Sequence, residues 1–337
     1  MTADLLISAQ AGNSDAFREL TEPFRRELQV HCYRMLGSFQ DAEDVLQDTM
    51  ISAWQGLPAF ESRASIRTWL YRIATNRCLN ALRSARRRTA TEWDAIDIEP
   101  PEPTRFGEVV WLEPYPDILR EGVVGIPGPE ARYEQHEAIS LAFVTALQLL
   151  PARQRAVLIL RDVLGYHTAE VAEMLDSTVD SIASALKRAR ASLERRREST
   201  DPAPPLPDSP DERALVAKFV RTFESGDVDG LVELLTADVN LSMPPIPLEY
   251  QGRDVVARFY TAMFAGGRLY RLVPTRANGQ PALAAYLPAP TGGLWHGAGL
   301  FVLTLAGSHI SAMTRFESSA LSWFGLPRSL PAGDRRF

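Results

Sequence analysis

Between Arg63 and Arg88 the chain places eight arginines (Arg63, Arg67, Arg72, Arg77, Arg83, Arg86, Arg87, Arg88) with no acid among them. Asn76, Asn80, Arg83 and Arg87 follow at steps of four, three and four, so a helix over 66–88 shows them on one side, beside Tyr71 and Arg72. Guanidinium groups hold phosphates, amides read base edges and aromatic faces stack on unpaired bases, the chemistry that single-stranded nucleic acid requires. Arginine with aromatics on a helix is also how an ordinary surface snorkels, so spacing alone leaves both readings open. A second basic cluster, Lys187, Arg188, Arg190, Arg195, Arg196 and Arg197, follows a short helix–turn–helix pattern. There Thr168 to Leu175 forms one helix, Asp176-Ser177-Thr178 the turn, and Thr178 caps the next, with Ser181, Ser184, Ala185, Lys187 and Arg188 expected outward and Ile182, Leu186, Ala189 and Leu193 inward. A helix of this kind reads duplex DNA from the major groove; a plain helical hairpin has the same pattern.

The elements that must position these residues follow from composition. Helices are expected at Asp15 to Met35, Gln40 to Trp54 and Ile66 to Arg88, broken around Gly56-Leu57-Pro58, and again over 137–198. In the helix over 66–88, Ile66, Trp69, Leu70, Ile73 and Leu82 are expected to face inward. On the helix from Gln40, Asp41, Asp44 and Asp48 make one acidic face and Ala42, Val45, Leu46 and Thr49 an apolar one. Residues 89–136 are rich in proline and acids, reading as a linker; Asp201 to Pro207, with four prolines in seven residues, reads as an extended spacer. From 211 to 330 two helices, a third at Asp254 to Phe264 and apolar runs at 269–276, 281–287, 298–305 and 309–316 indicate an α+β domain. Its polar candidates for a pocket are Tyr250, Arg276, Tyr286 and His296, with Asp238, Trp295 and His309; none makes a spaced acid–base dyad. The tail Trp323-Phe324-Gly325-Leu326-Pro327 either docks elsewhere on the chain or completes this domain's core.

The 337 residues suffice for two or three domains. Cys32 and Cys78 lack the spacing of a disulfide scaffold or a Cys-rich zinc site, and neither metal nor cofactor is expected. The start Met1-Thr2-Ala3-Asp4 lacks a secretory pattern and no apolar run is long enough for a membrane span, so a cytoplasmic protein is expected. The formal charge of −6 conceals strong segregation, basic, acidic, basic, then neutral, so it does not exclude nucleic acid.

Asp41-Ala42-Glu43-Asp44-Val45-Leu46-Gln47-Asp48 and Thr68-Trp69-Leu70-Tyr71-Arg72-Ile73-Ala74-Thr75-Asn76 resemble regions 2.2 to 2.4 of extracytoplasmic-function (ECF) sigma factors of the sigma-70 family. Leu150-Pro151-Ala152-Arg153-Gln154-Arg155-Ala156-Val157 and Leu160-Arg161-Asp162-Val163-Leu164-Gly165 are similar to their region 4.1. Trp111-Leu112-Glu113-Pro114-Tyr115-Pro116-Asp117 resembles the linker of a long subgroup, and Leu241-Ser242-Met243-Pro244-Pro245 with Asn278-Gly279-Gln280-Pro281-Ala282 resembles a SnoaL-like domain of the cone-shaped NTF2-like fold.

The resemblance implies a multidomain protein: region 2, an all-α bundle, over 4–88; a linker over 89–136; region 4, a helix-turn-helix, over 137–198; a spacer over 199–210; and the SnoaL-like domain over 211–330. It implies binding of core RNA polymerase at the β′ clamp helices and β flap, with Asp41, Asp44, Gln47 and Asp48 on the clamp helices. It places Phe60, Ser65, Arg72, Asn76, Asn80, Arg83 and Arg87 at the −10 strand and Thr178, Ser181, Ser184, Lys187 and Arg188 at the −35 duplex. The acidic linker would pass through the channel where RNA later runs. Two positions depart from the pattern: Asp176, where many members have Gly, and Ala185, where many have Arg, so one backbone or base contact is expected to be missing. The C-terminal domain is expected to modulate activity, through a small-molecule ligand or an intramolecular contact, rather than to be an enzyme. A ligand-gated operator-binding regulator and a SnoaL-type enzyme fused to a DNA-binding module are the competing readings.

Overall fold

The structure, a computed structural model, describes residues 2–84, 101–106, 111–119, 139–195, 202–265, 267–290 and 292–332. The chain divides into two compact units, one of residues 1–88 and 119–198, the other of 89–118 and 199–337.

The first unit is helical. Helix α1 spans Thr2–Gln10, α2 Ser14–Leu36, α3 Phe39–Gly56 and α4 Ile66–Ser84. Their starts are written in the chain. Asn13 accepts the Asp15 and Ala16 N–H groups, Ser38 that of Asp41, and Ser65 that of Thr68. Gly37, at φ 72°, closes α2 with its N–H on the Tyr33 carbonyl, a left-handed turn that glycine enters without penalty. Leu28, Cys32, Met35, Leu70, Ala74 and Cys78 are buried. Inside α4, Leu70, Tyr71, Ala74, Thr75 and Cys78 face the core, whereas Ile66, Trp69, Ile73 and Leu82 are only partly covered. The inward stripe is therefore rotated from the expected one.

In the same unit α5 spans Leu141–Gln148 and α6 Ala152–Leu158, running into a π turn at Ile159–Val163. Helix α7, Thr168–Met174, and α8, Val179–Glu194, make the helix-turn-helix. Arg155 ties this half to α2. Its guanidinium is buried, donating to the Met35 carbonyl and, at 2.8 and 3.2 Å, to those of Gln148 and Leu150. Burial lowers its pKa to about 10, which still leaves it charged at neutral pH.

The second unit is α+β. Helices α9 (Pro210–Ser225), α10 (Val228–Val232) and α11 (Arg253–Phe264) cover one side of a mixed sheet. Its strands are β1 (Arg105–Phe106), β2 (Leu235–Met243), β3 (Ile246–Gln251), β4 (Arg271–Ala277), β5 (Gln280–Pro288), β6 (Leu294–Ala306), β7 (His309–Phe316) and β8 (Ser329–Pro331). They lie in the order β1-β3-β2-β7-β6-β5-β4, with β8 on β6; β2 and β7 run parallel and the other pairs antiparallel. Phe223 centres the helix-side core, its ring 5.3–5.4 Å from those of Tyr260, Phe264, Tyr270 and Phe301.

Two expectations are corrected here, and one open alternative is decided. Residues 101–106 and 111–118, expected as linker, are built into this second unit. Arg105 and Phe106 form an edge strand on β3, with Arg105 Nε 2.5 Å from the Glu249 carboxylate. Tyr115 is wholly buried: its N–H donates to Asn278 Oδ1 at 2.8 Å, and its carbonyl accepts the Asn278 N–H at 2.9 Å. The Asp117 carboxylate accepts the Gly279 N–H at 2.9 Å, so two separately recognisable motifs close on each other. The spacer is the second correction. Ala203 accepts the Gly307 N–H at 3.2 Å and Pro202 stands against that same turn, so residues 202–203 lie on the domain rather than reaching away from it. The tail decides between the two alternatives left open for it. Leu321, Phe324 and Leu330 are buried, Tyr286 donates to the Pro327 carbonyl at 2.9 Å, and β8 adds to the sheet. The tail completes the core of this domain.

Candidate nucleic-acid and polymerase interfaces

On α3 the apolar stripe Ala42, Val45, Leu46 and Thr49 is buried, which turns Asp44, Gln47 and Asp48 outward. Asp41 is half-buried beside its cap Ser38, whose side chain accepts the Asp41 N–H at 3.0 Å. Ile51, three residues beyond Asp48, is 56% exposed on the same helix. An apolar side chain out of step with the buried stripe was a readable signal, and sequence reasoning passed over it.

On α4, Arg72, Asn80 and Arg83 are exposed and Asn76 is half-buried, so these four share one outward side. Arg83 Nη1 donates to Asn80 Oδ1 at 3.2 Å. Tyr71, expected beside them, belongs to the interior: it is wholly buried, its ring edge-on to His31 and to Tyr166 at 5.1 and 5.9 Å. Burial raises its phenol well above the ordinary range. Arg67 likewise turns inward, donating from Nε and Nη2 to Glu27 at 2.9 and 3.0 Å while lying 4.8 Å over the Tyr71 ring. Phe60 is partly buried against Trp69, 4.9 Å between rings, and Ser65 is occupied in starting α4. Arg87 lies outside the described residues.

On α8, Thr178 accepts the Ser181 N–H, and Thr178, Ser181, Ser184, Lys187 and Arg188 are all exposed. Ala185 corrects an expectation: it is 7% exposed and packs inward with Ile182, Leu186 and Ala189, so it does not stand at a base-reading position. Val179, at the first turn of α8, is 50% exposed beside this face. Asp176 occupies the turn at φ 46°, a left-handed conformation that Asp tolerates better than most residues. Its carboxylate stands 3.5 Å from Arg72 Nη2, so the turn carries a charge facing α4.

The four pocket residues do not converge. Tyr250 donates to the Pro101 carbonyl at 2.9 Å and Tyr286 to that of Pro327. Arg276 is held by Glu212, Asp208 and Asp117 at 2.6, 3.3 and 3.8 Å, and His296 Nδ1 meets Ser329 Oγ at 2.9 Å. Each is occupied in holding the linker, the tail or the domain's own first helix. Asp238 and His309 are exposed, so these residues assemble no acid–base pair. Among the described residues no group of His, Cys, Asp and Glu could hold a metal ion, and no described helix is long and apolar enough to cross a membrane.

Comparison with known proteins agrees with this division. Residues 20–88 match the Sigma-70 region 2 family, 140–193 the Sigma-70 region 4 family and 216–313 the SnoaL-like domain family. The ECF RNA polymerase sigma factor SigG of Mycobacterium tuberculosis is 41% identical over 320 residues, covering 93% of this chain and 85% of that one. SigM of the same species is 31% identical over 193 residues, 57% of this chain and 83% of its own. The crystal structure of the M. tuberculosis ECF sigma factor SigJ aligns with a TM-score of 0.60 at 20% identity over 90% of this chain and 98% of that one, a likeness of fold. The chain belongs to the ECF sigma factors of RNA polymerase, and carries a SnoaL-like C-terminal domain.

Proposed function

We propose that Asp44, Gln47, Asp48 and Ile51 on α3 dock on core RNA polymerase, that Arg72, Asn76, Asn80 and Arg83 on α4 engage the unpaired −10 strand, and that α8 reads the −35 duplex. The observation that carries this reading is the outward face of α8: Ser181, Ser184, Lys187 and Arg188 are exposed, and among the described residues neither Lys187 nor Arg188 makes an ion pair. Unneutralised cations beside short polar side chains on a capped helix suit phosphate positioning and base-edge contact. In this reading catalysis belongs to the polymerase.

The C-terminal domain modulates that activity by gripping residues 101–106 and 111–118. The support is the mutual Tyr115–Asn278 pair and the Asp117–Gly279 bond, which give this acidic stretch a defined seat. A segment held there is withdrawn from any other path, including one along the polymerase channel.

Run-off transcription with purified full chain and core polymerase tests the whole reading. Promoter-specific transcript that depends on this protein is expected. Asn80→Ala with Arg83→Ala should lose activity on a closed promoter and recover on a premelted one, whereas Arg188→Ala should weaken duplex binding. Equal loss by both variants on the premelted template overturns the division between α4 and α8.

A further inference from the structure

Helix α1 precedes the stretch that matches Sigma-70 region 2, yet its last residue reaches into the turn that leads to α4. Gln10 Nε2 donates to the Leu57 carbonyl at 3.2 Å and to the Phe60 carbonyl at 2.9 Å. A primary amide has two N–H donors, and here both go to this one turn. The Phe60 N–H closes the same turn on the Leu57 carbonyl at 3.0 Å. Apolar contact supports the amide: Leu57 is wholly buried with Ala9 of α1, and Phe60 and Trp69 pack on that cluster.

The turn carries an exposed loop. Glu61, Ser62, Arg63, Ala64 and Ser65 all face solvent. Ser62 stands at φ 57°, a left-handed conformation that serine keeps only where its surroundings fix it. The Glu61–Arg63 ion pair, 2.6 Å long with both side chains exposed, is too well hydrated to do the fixing. At the far end Ser65 Oγ accepts the Thr68 N–H and starts α4. The loop is thus anchored before it by Gln10 and after it by Ser65. From Ser65 one side of α4 continues through Thr68, Arg72, Asn76, Asn80 and Arg83, at steps of three, four, four, four and three. A nucleic-acid strand lying along that side runs off its end onto the loop.

We propose that Gln10 is a positioning residue for promoter recognition. By holding the Leu57 and Phe60 carbonyls it sets the 61–65 loop against the unpaired −10 strand, so α1 contributes to the choice of −10 sequence without touching DNA. The inference rests on the −10 reading of α4.

The test is a selection on fork-junction templates, duplex and randomised at −35, single-stranded and randomised at −10, using the full chain with core polymerase and sequencing the retained DNA. The native chain is expected to enrich particular bases in both elements. Gln10→Ala should lower the −10 enrichment at least about threefold, the size that one neutral hydrogen bond supplies, and leave the −35 enrichment unchanged. Gln10→Glu keeps the side-chain volume but, ionised at neutral pH, sets an acceptor against two carbonyl acceptors, so it should lower −10 enrichment further. Gln10→Lys, which restores donors at similar reach, should recover it. A side chain that merely filled space would give the reverse order, with Gln10→Glu milder than Gln10→Ala. Circular dichroism melts check that each variant is folded; if Gln10→Ala is not, the contrast between Gln10→Glu and Gln10→Lys decides. Unchanged −10 enrichment in the folded variants, the reverse order, or equal loss at −35 overturns the positioning role and leaves the α4 reading standing. A native chain that enriches no −10 sequence overturns both.

Discussion

His31 gives the α2–α4 core a dependence on acid that can be worked through. It is wholly buried, its Nε2 2.9 Å from Thr75 Oγ1 and its Nδ1 without a partner. Burial, then the charges of Arg34 and Arg67, lower its pKa to about 3. The folded ring is therefore neutral at every pH above about 4, while the unfolded ring titrates near its ordinary value of about 6.5. The unfolded state binds the extra proton, so stability must fall as pH drops below that value. Between pH 7 and pH 5 the unfolded ring goes from about one-quarter to nearly fully protonated, which costs the fold about 2 kcal/mol. That figure depends little on the folded value, provided it stays well below pH 5. Cys32 and Cys78 are buried in the same core and report its opening. Their labelling by a methanethiosulfonate reagent should be compared in the native chain and in His31→Gln at each pH, so that intrinsic thiol chemistry cancels. From pH 7 to pH 5 the ratio of native to variant labelling should rise by about 25-fold, the exponential of that loss. A ratio that stays flat would refute a neutral, desolvated His31 as the cause.

Reversing Asp44 and Asp48 to Arg should reduce affinity for core polymerase at least about tenfold with helicity unchanged, measured by co-purification and circular dichroism. Arg188→Ala should lower the salt slope of −35 duplex binding by about one, one phosphate contact's worth; an unchanged slope in a filter-binding series removes Arg188 from the interface. Asn278→Ala should release the 111–118 segment, destabilising its seat by about 1–3 kcal/mol, read as faster amide exchange there and altered run-off yield. Leu321→Ala should destabilise the C-terminal domain by about 2–5 kcal/mol in denaturant unfolding, because the tail is core; no loss would return it to the role of a docking element.

What the chain determines by itself is whatever depends on near neighbours. Asn13, Ser38, Thr178 and Ser209 start helices through their own side chains, and Gly37 ends one. The period of Val45, Leu46 and Thr49 is enough to turn Asp44 and Asp48 outward, and the four-three spacing of Asn76, Asn80 and Arg83 is a property of any helix. Hydrophobic period also marks β4 to β7. It misses β2, and it misses β3, where Pro247 interrupts the alternation just after Pro244-Pro245.

Tertiary structure decided whatever depends on a distant partner. Tyr71 resembles a stacking residue until Tyr166, ninety-five positions on, covers it, and Ala185 reads as outward until α6 packs against α8. Residues 89–136 have the composition of a linker because prolines and acids forbid a long helix, yet nothing local reveals that Asn278 offers Tyr115 two complementary backbone-like hydrogen bonds. Arg276 and Arg315 are alike in sequence, each an arginine in an alternating strand. One faces Glu212, Asp208 and Asp117 while the other donates to the Ala298 carbonyl, because strand register and the opposite element, not residue type, set a charge's company.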